Sequence, residues 1–314
     1  MIRDRSSAVL LLCFVVVPTT YADLPLTIEE LLTAEQRWRA DVNLVYANSD
    51  RRDVDSLFGT IQLGPGQFIT IPVSVAQARQ NTDFLALSIG ARYGMSLNTE
   101  FFSRVSALGQ DMRTLDVNGA SSESDQQFAD AWIGINHRFS DDNATPALLG
   151  FFELALAENA AGKGNELAYG KTAMAGFTTY RATDPLVLSL TAGYRYSAER
   201  KVDKLDVDPG DLFFINPNIA FAVNHEVTLT SGLQWRWQQR DRVDNQDQGI
   251  RTTQTKMEFG LGYAWSKRLT LLANSRADIT GDSGVEIGVT FLYKFPSHFS
   301  NKHEHKGGDD SINN

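Results

Sequence analysis

A period of two constrains this chain more than any other feature. Stretches of about ten residues alternate apolar and polar side chains, break off, and begin again along most of the length. That period puts successive side chains on opposite faces of a β-strand, whereas an amphipathic helix needs one near 3.6. In the last stretch Val285, Ile287, Val289, Phe291, Tyr293 and Phe295 share one face, and Glu286, Gly288, Thr290, Leu292 and Lys294 share the other. Met257, Phe259, Leu261, Tyr263 and Trp265 likewise oppose Lys256, Glu258, Gly260 and Gly262. Near the front, Trp38, Val42, Leu44 and Tyr46 oppose Arg39, Asp41 and Asn43.

Twelve such segments begin near Arg37, Thr82, Thr99, Gln127, Pro146, Leu167, Leu186, Asp211, Glu226, Thr252, Arg268 and Gly284. The links between them alternate in length. Residues 48–81, 109–126, 199–210 and 240–251 are long, whereas 94–98, 140–145, 182–184, 224–225 and 266–267 are short. Antiparallel neighbours turn at opposite ends of a sheet, so this alternation sorts long loops to one end and tight turns to the other. The fold class expected is all-β: a transmembrane antiparallel β-barrel of about twelve strands, preceded by a short N-terminal helix.

The ends read differently. Residues 1–22 have a basic start (Arg3, Arg5), an apolar run from Ala8 to Val17, and small residues around Ala22, the pattern of a cleaved signal peptide. Cys13, the only cysteine, lies in that run, so the mature chain has no thiol chemistry. Residues 23–36 carry a capping box, Thr27 with Glu30, and are expected to form a short periplasmic helix or plug. The barrel spans 37–295, and the polar residues 296–314 form a disordered tail. With 29 basic against 38 acidic residues the chain has a formal net charge of −9, which excludes a general nucleic-acid binder. No uninterrupted apolar run is long enough for a membrane helix.

Parity then assigns the faces. Aromatic rings with a polar tip collect at the two membrane interfaces, and the expected girdle is Trp38, Tyr46, Tyr93, Tyr196, Trp235, Trp237, Tyr263, Trp265, Tyr293 and Phe295. The opposite parity points Arg39, Asp41, Arg92, Asp130, Arg138, Arg195, Arg236, Lys256, Glu258, Arg276, Asp278 and Glu286 inward, together with Glu100, Arg104, Glu153 and Lys294. Unpaired charges are too costly for a dry core, so these residues imply a wet or ion-paired lumen and are the selectivity candidates. In the first long link, Phe68, Ile69, Ile71 and Pro72 follow Gly64-Pro65-Gly66; they either fold into the mouth as a constriction or extend the strands outside.

Other chemistry is not supported by the sequence. Gly164 and Gly170 before Lys171 are spaced wrongly for a phosphate loop, and His303-Glu304-His305 sits in the flexible tail. No nucleophile–base–orienter arrangement stands out, so no enzyme, cofactor or metal site is expected.

The run Phe128-Ala-Asp-Ala-Trp-Ile-Gly-Ile-Asn-His-Arg-Phe139, with Asn143-Ala-Thr-Pro-Ala-Leu-Leu149 and Asp184-Pro-Leu-Val-Leu188, resembles the outer-membrane family named for the meta-pathway of phenol degradation. Leu26-Thr-Ile-Glu-Glu-Leu-Leu32 and Arg37-Trp-Arg39 are similar to the barrels of bacterial amyloid-secretion channels. These resemblances imply a passive bacterial outer-membrane channel for small, often aromatic or hydrophobic solutes. The alternatives are a polypeptide export pore and a structural or adhesive barrel with a sealed lumen. Expected partners are outer-membrane lipids, a small-molecule solute and the barrel-assembly machinery, with a homo-oligomer left open.

Overall fold

The computed structural model describes residues 32–51, 58–72, 79–116, 119–160, 166–202, 204–248, 250–280 and 283–296. In chain order the strands are β1 (Trp38–Arg51), β2 (Phe58–Gly64), β3 (Gln67–Pro72), β4 (Arg79–Ser96), β5 (Thr99–Asp116) and β6 (Gly119–Ser140). Then come β7 (Ala147–Asn159), β8 (Leu167–Ala168), β9 (Thr172–Thr183), β10 (Leu186–Ser197), β11 (Arg200–Val202) and β12 (Leu205–Asp208). The remainder are β13 (Leu212–Ala222), β14 (Val227–Gln238), β15 (Asp241–Val243), β16 (Gln246–Gln248), β17 (Thr252–Ala264), β18 (Leu269–Asp278) and β19 (Ser283–Lys294).

Twelve of these close into one antiparallel barrel. Neighbours run β6-β5-β4-β1-β19-β18-β17-β14-β13-β10-β9-β7, and β7 pairs back onto β6. The first and last strands join directly, from Arg39 opposite Lys294 to Asp50 opposite Ser283. Every backbone group of a closed ring finds a neighbour, which is what hydrocarbon demands of a spanning sheet.

The two faces separate as parity requires. Along β1, Val42, Leu44 and Tyr46 are exposed while Arg39, Asp41, Asn43 and Val45 are buried inside. Leu87, Ile89, Phe177, Leu188, Ile219, Leu229, Leu261, Ile287 and Phe291 continue the outer apolar belt round the ring. Aromatics gather at its rims. At the end where β1 starts (the near end), Trp38 and Tyr93 lie 4.9 Å apart, Tyr263 and Trp265 6.2 Å, and Tyr293 and Phe295 5.1 Å. At the far end the Tyr46 hydroxyl donates to Asp83 at 2.7 Å, Tyr194 donates to Asp211, and Trp235 packs edge-on against Phe213. This is a transmembrane barrel.

Three expectations need correction. Residues 109–126 are not a long loop: β5 and β6 continue as a paired ribbon, Gly109 with Gln126 through Asp116 with Gly119. The ribbon stands beyond the membrane with both faces in water, so its sequence has no apolar parity to reveal it. Secondly, the links 199–210 and 240–251 carry strands, β11-β12 and β15-β16, which join into a four-stranded outer sheet. Thirdly, the described part of the expected N-terminal helix, from Leu32, is not helical. Glu35 instead bridges Gly94, and the amide of Gln36 donates to the Gly94 carbonyl at 2.8 Å. A side chain at Gly94 would strike the Ala34 carbonyl at 2.2 Å, so glycine is what lets this segment lie against the wall. The signal peptide, the capping box at Thr27 and Glu30, and the tail beyond residue 296 lie outside the described residues.

Candidate functional site in the barrel lumen

The lumen holds the hairpin β2-β3. Thr60 pairs with Thr70 and Ile61 with Ile69, and the chain turns at Gly64-Pro65-Gly66, where Gly66 takes φ +73°. The period of two gives the hairpin two unlike faces. Ile61, Leu63, Ile69 and Ile71 are buried against Val45 and Ala47 of β1, Phe84 and Ala86 of β4, Leu108 of β5 and Ala129 of β6. Burying each such aliphatic side chain is worth about 1.5–3 kcal/mol. That apolar stretch of inner wall is why the hairpin lies inside the barrel.

The other face carries Thr60, Gln62, Phe68 and Thr70 and meets a polar wall. Arg195 of β10 donates to Thr70 Oγ1 at 3.0 Å. Arg236 of β14 donates to Thr60 Oγ1 at 2.8 Å and to its carbonyl at 3.3 Å. Arg276 of β18 donates to the Gln62 carbonyl at 2.9 Å, Arg104 of β5 to the Phe68 carbonyl at 3.4 Å, and Asn43 of β1 to the Leu63 carbonyl at 2.5 Å. The hairpin is thus bonded from five strands around the ring.

Its turn rests on aromatic rings. Phe68 packs edge-on to Phe214 at 5.1 Å, within a buried cluster that includes Trp132, Met174 and Leu212. A Cβ at Gly66 would lie 3.4 Å from Phe151 and 3.7 Å from Phe214. Those rings lie flat on the wall because glycine sits under each: a side chain at Gly176 would meet Phe151 at 2.3 Å, and one at Gly193 would meet Phe214 at 2.7 Å. Gly176 and Gly193 are register partners across β9 and β10.

Charges fill the rest. Towards the near end, Arg92 pairs with Asp41 and with Glu100, each at 3.0 Å, and Arg39 reaches Glu100 at 3.9 Å. Asn136 donates to Glu100 at 2.9 Å, and the backbone amide of Thr33 does so at 2.6 Å, which ties the segment before β1 into the lumen. On the polar wall Arg276 holds Glu258 at 3.0 Å and Glu286 at 3.5 Å, and Lys256 pairs with Glu286. Gln234 donates to Glu258, Arg236 to Gln254, and Gln254 to Asp278. Arg195 and Arg236 are buried yet make no ion pair among the described residues.

The structure therefore brings Arg39, Asp41, Arg92, Asp130, Arg195, Arg236, Lys256, Glu258, Arg276 and Glu286 into the interior. Arg138 and Asp278 stand at the rims. Arg138 pairs with Asp141 of a near-end turn at 3.0 Å, and Asp278 accepts from Thr280 at the far end. Lys294 is exposed at the near rim. Phe68, Ile69 and Ile71 are buried in the lumen, and Pro72 ends β3. Sequence reasoning put Asn43 on the polar face of its strand without singling it out, and missed Thr60, Gln62, Thr70, Phe151, Trp132 and Phe214. Inner parity reaches Asn43, Trp132 and Phe214, and the alternation Phe68-Ile69-Thr70-Ile71 was the available sign of a two-faced hairpin.

The family model described as "Putative MetA-pathway of phenol degradation" matches residues 41–295. Among solved structures, an outer membrane channel from Pseudomonas putida F1 aligns with a TM-score of 0.58 at 11% identity, covering 89% of this chain and 100% of that one. The CymD monoaromatic hydrocarbon channel aligns at 0.48 with 8% identity, covering 85% and 90%. The KdgM porin in complex with disordered oligogalacturonate aligns at 0.43 with 11% identity, covering 82% and 99%. None of the curated proteins compared with the chain matches it. The first likeness is one of fold.

Proposed function

The chain belongs to this phenol-degradation family, and from that membership and its occupied lumen we propose a bacterial outer-membrane channel that passes small solutes passively, with the β2-β3 hairpin as its constriction. The hairpin carries the reading. It is packed on one side against an apolar wall, but on the other it is held through neutral hydroxyl and carbonyl oxygens to arginines. A segment bonded in this way separates from the polar wall without pulling apart the ion pairs Arg276–Glu258 and Lys256–Glu286 that brace it. Twelve strands enclose less space than a porin of sixteen, so passage is restricted to small molecules. The rings of Phe68, Phe214, Phe151 and Trp132 suit solutes with an aromatic or hydrophobic body.

In this reading the selectivity residues are the charged groups facing the hairpin and near mouth: Arg39, Asp41, Arg92, Asp130, Arg195, Arg236, Lys256, Glu258, Arg276 and Glu286. The near end faces the periplasm, and residues 1–22 are removed on export. The aromatic rims at Trp38, Tyr93, Tyr263, Trp265, Tyr293 and Phe295, and at Tyr46, Tyr196, Trp235 and Trp237, set the barrel's depth in the bilayer.

Single-channel recording on the purified protein, with and without residues 59–77, tests this. Deletion is expected to give frequent, larger conductance steps where the intact protein is mostly closed. If a correctly folded deletion variant stays silent, the barrel is a sealed structural one.

A further inference from the structure

Four arginines from four strands aim at oxygens of the hairpin. Two of them are braced by carboxylates: Arg276 by Glu258 and Glu286, and Arg104 by Glu153 at 3.8 Å. The other two make no direct ion pair among the described residues: Glu158 and Asp241 act on Arg195, and Glu286 and Asp278 on Arg236, only from beyond bonding distance. Arg195 and Arg236 are only 2% and 3% exposed, and their hydrogen-bond acceptors among the described residues are Thr70 Oγ1 for the first, and Thr60 with Gln254 for the second. Among the described residues Arg195 Nε has no acceptor, and neither have Gln238 Nε2 and Asn216 Nδ2 on the same stretch of inner wall. Arg195, Leu212 and Gln238 are register partners across β10, β13 and β14, and Phe214 is partnered with Arg236. A buried guanidinium whose hydrogen bonds all go to neutral oxygens is costly, whereas a carboxylate in direct contact supplies charge-assisted bonds roughly twice as strong. Arg236 lies 5.9 Å over the Phe68 ring, and Phe214, which packs on Phe68, is the register partner of Arg236 and of Gly193, two residues before Arg195 on the same strand.

We propose that Arg195 and Arg236 form a recognition site for an organic acid with an aromatic body, and that this solute opens the channel by taking the arginines that the Thr60 and Thr70 hydroxyls occupy when it is closed. The inference rests on the channel reading and narrows it to a solute class and a gating step. A neutral solute of the same shape has no carboxylate to offer the guanidiniums. A small carboxylate has nothing to lay against the rings. Only a molecule with both competes with the hairpin.

The test is single-channel recording on the full mature chain with benzoate, benzyl alcohol or acetate at equal concentration in one background salt. Benzoate is expected to raise open probability about tenfold over either of the others, as charge-assisted bonds replace neutral ones. Arg195→Gln combined with Arg236→Gln abolishes that response. Thr60→Val combined with Thr70→Val removes the competing hydroxyls and raises opening in the absence of benzoate. An equal response to benzyl alcohol or to acetate overturns the proposal, as does a benzoate response that survives the paired glutamines. Folding is checked by the shift in gel migration on heating; should the glutamine pair fail it, unchanged opening in the valine pair overturns the proposal instead. The variant lacking residues 59–77 keeps the two readings apart. If it conducts while the intact channel ignores benzoate, the gating site falls and the channel stands; if it is silent, both fall.

Discussion

Phe214 lies under both Phe68 and the turn at Gly66, so one ring determines how firmly the hairpin seats. Truncating a buried phenylalanine in a close-packed cluster costs about 3–5 kcal/mol. In Phe214→Ala that loss falls on hairpin docking, because the barrel's own ladder through Gly193 and Arg236 is backbone bonding that the ring does not make. The expected outcome is a barrel of normal gel migration with a markedly higher open probability in bilayer recordings. Arg276 is the opposite case. Among the described residues, replacing it with alanine leaves Glu258 with only the Gln234 amide and Glu286 with Lys256 alone, and breaking a buried pair from one side costs up to about 3–5 kcal/mol. Arg276→Ala is expected to lower the temperature at which the folded, fast-migrating gel band converts to the unfolded one, and an unchanged conversion temperature contradicts the role given to it as a brace.

At the scale of elements, what the sequence revealed depended on whether the two faces of a strand meet different surroundings. Where lipid lies on one side and the lumen on the other, as along β1, β17 and β19, alternation fixed the faces and placed Arg39, Lys256 and Glu286 inside. Where both faces are wet, as in the β5-β6 ribbon from Gly109 to Asp116, there was no contrast to read and strand looked like loop. The hairpin was half legible. Ile69 and Ile71 announced an apolar face, but its counterpart (Val45, Ala47, Phe84, Leu108, Ala129) is spread over four strands and assembles only once the ring closes. Thr60 and Thr70 could not be matched to Arg236 and Arg195 for the same reason: the contacts are far apart in sequence. In the outer sheet β11-β12-β15-β16, Asp208 is a pH-sensitive group. Burial, followed by the nearby Asp211 carboxylate, raises the Asp208 pKa, and Arg242 only partly offsets this. A carboxyl whose folded pKa lies above its unfolded value adds stability at low pH and loses it as pH rises through the folded value. Asp208→Asn, which stays neutral, is therefore expected to slow amide exchange in β12 and β15 at neutral pH and leave it unchanged near pH 3; a faster exchange at neutral pH contradicts the sign.

Taken whole, the molecule is turned inside out relative to a soluble protein, with Leu87, Ile89, Leu188, Ile219 and Phe291 outside and Arg195, Arg276 and Glu100 within. A contiguous apolar band of this kind is not tolerated in water. The protein is accordingly expected to stay monodisperse only in detergent or lipid and to give a circular-dichroism spectrum dominated by strand; free solubility in plain buffer contradicts the whole arrangement. The pairing of Trp38–Arg51 with Ser283–Lys294 carries a further consequence. The ring is sealed by its two most distant stretches of chain, so neither is expendable. Trimming inward past Trp38 or back past Lys294 exposes two raw strand edges to oil, where every orphaned amide costs several kcal/mol. Shortened forms should remain whole up to those two residues and come apart just beyond them.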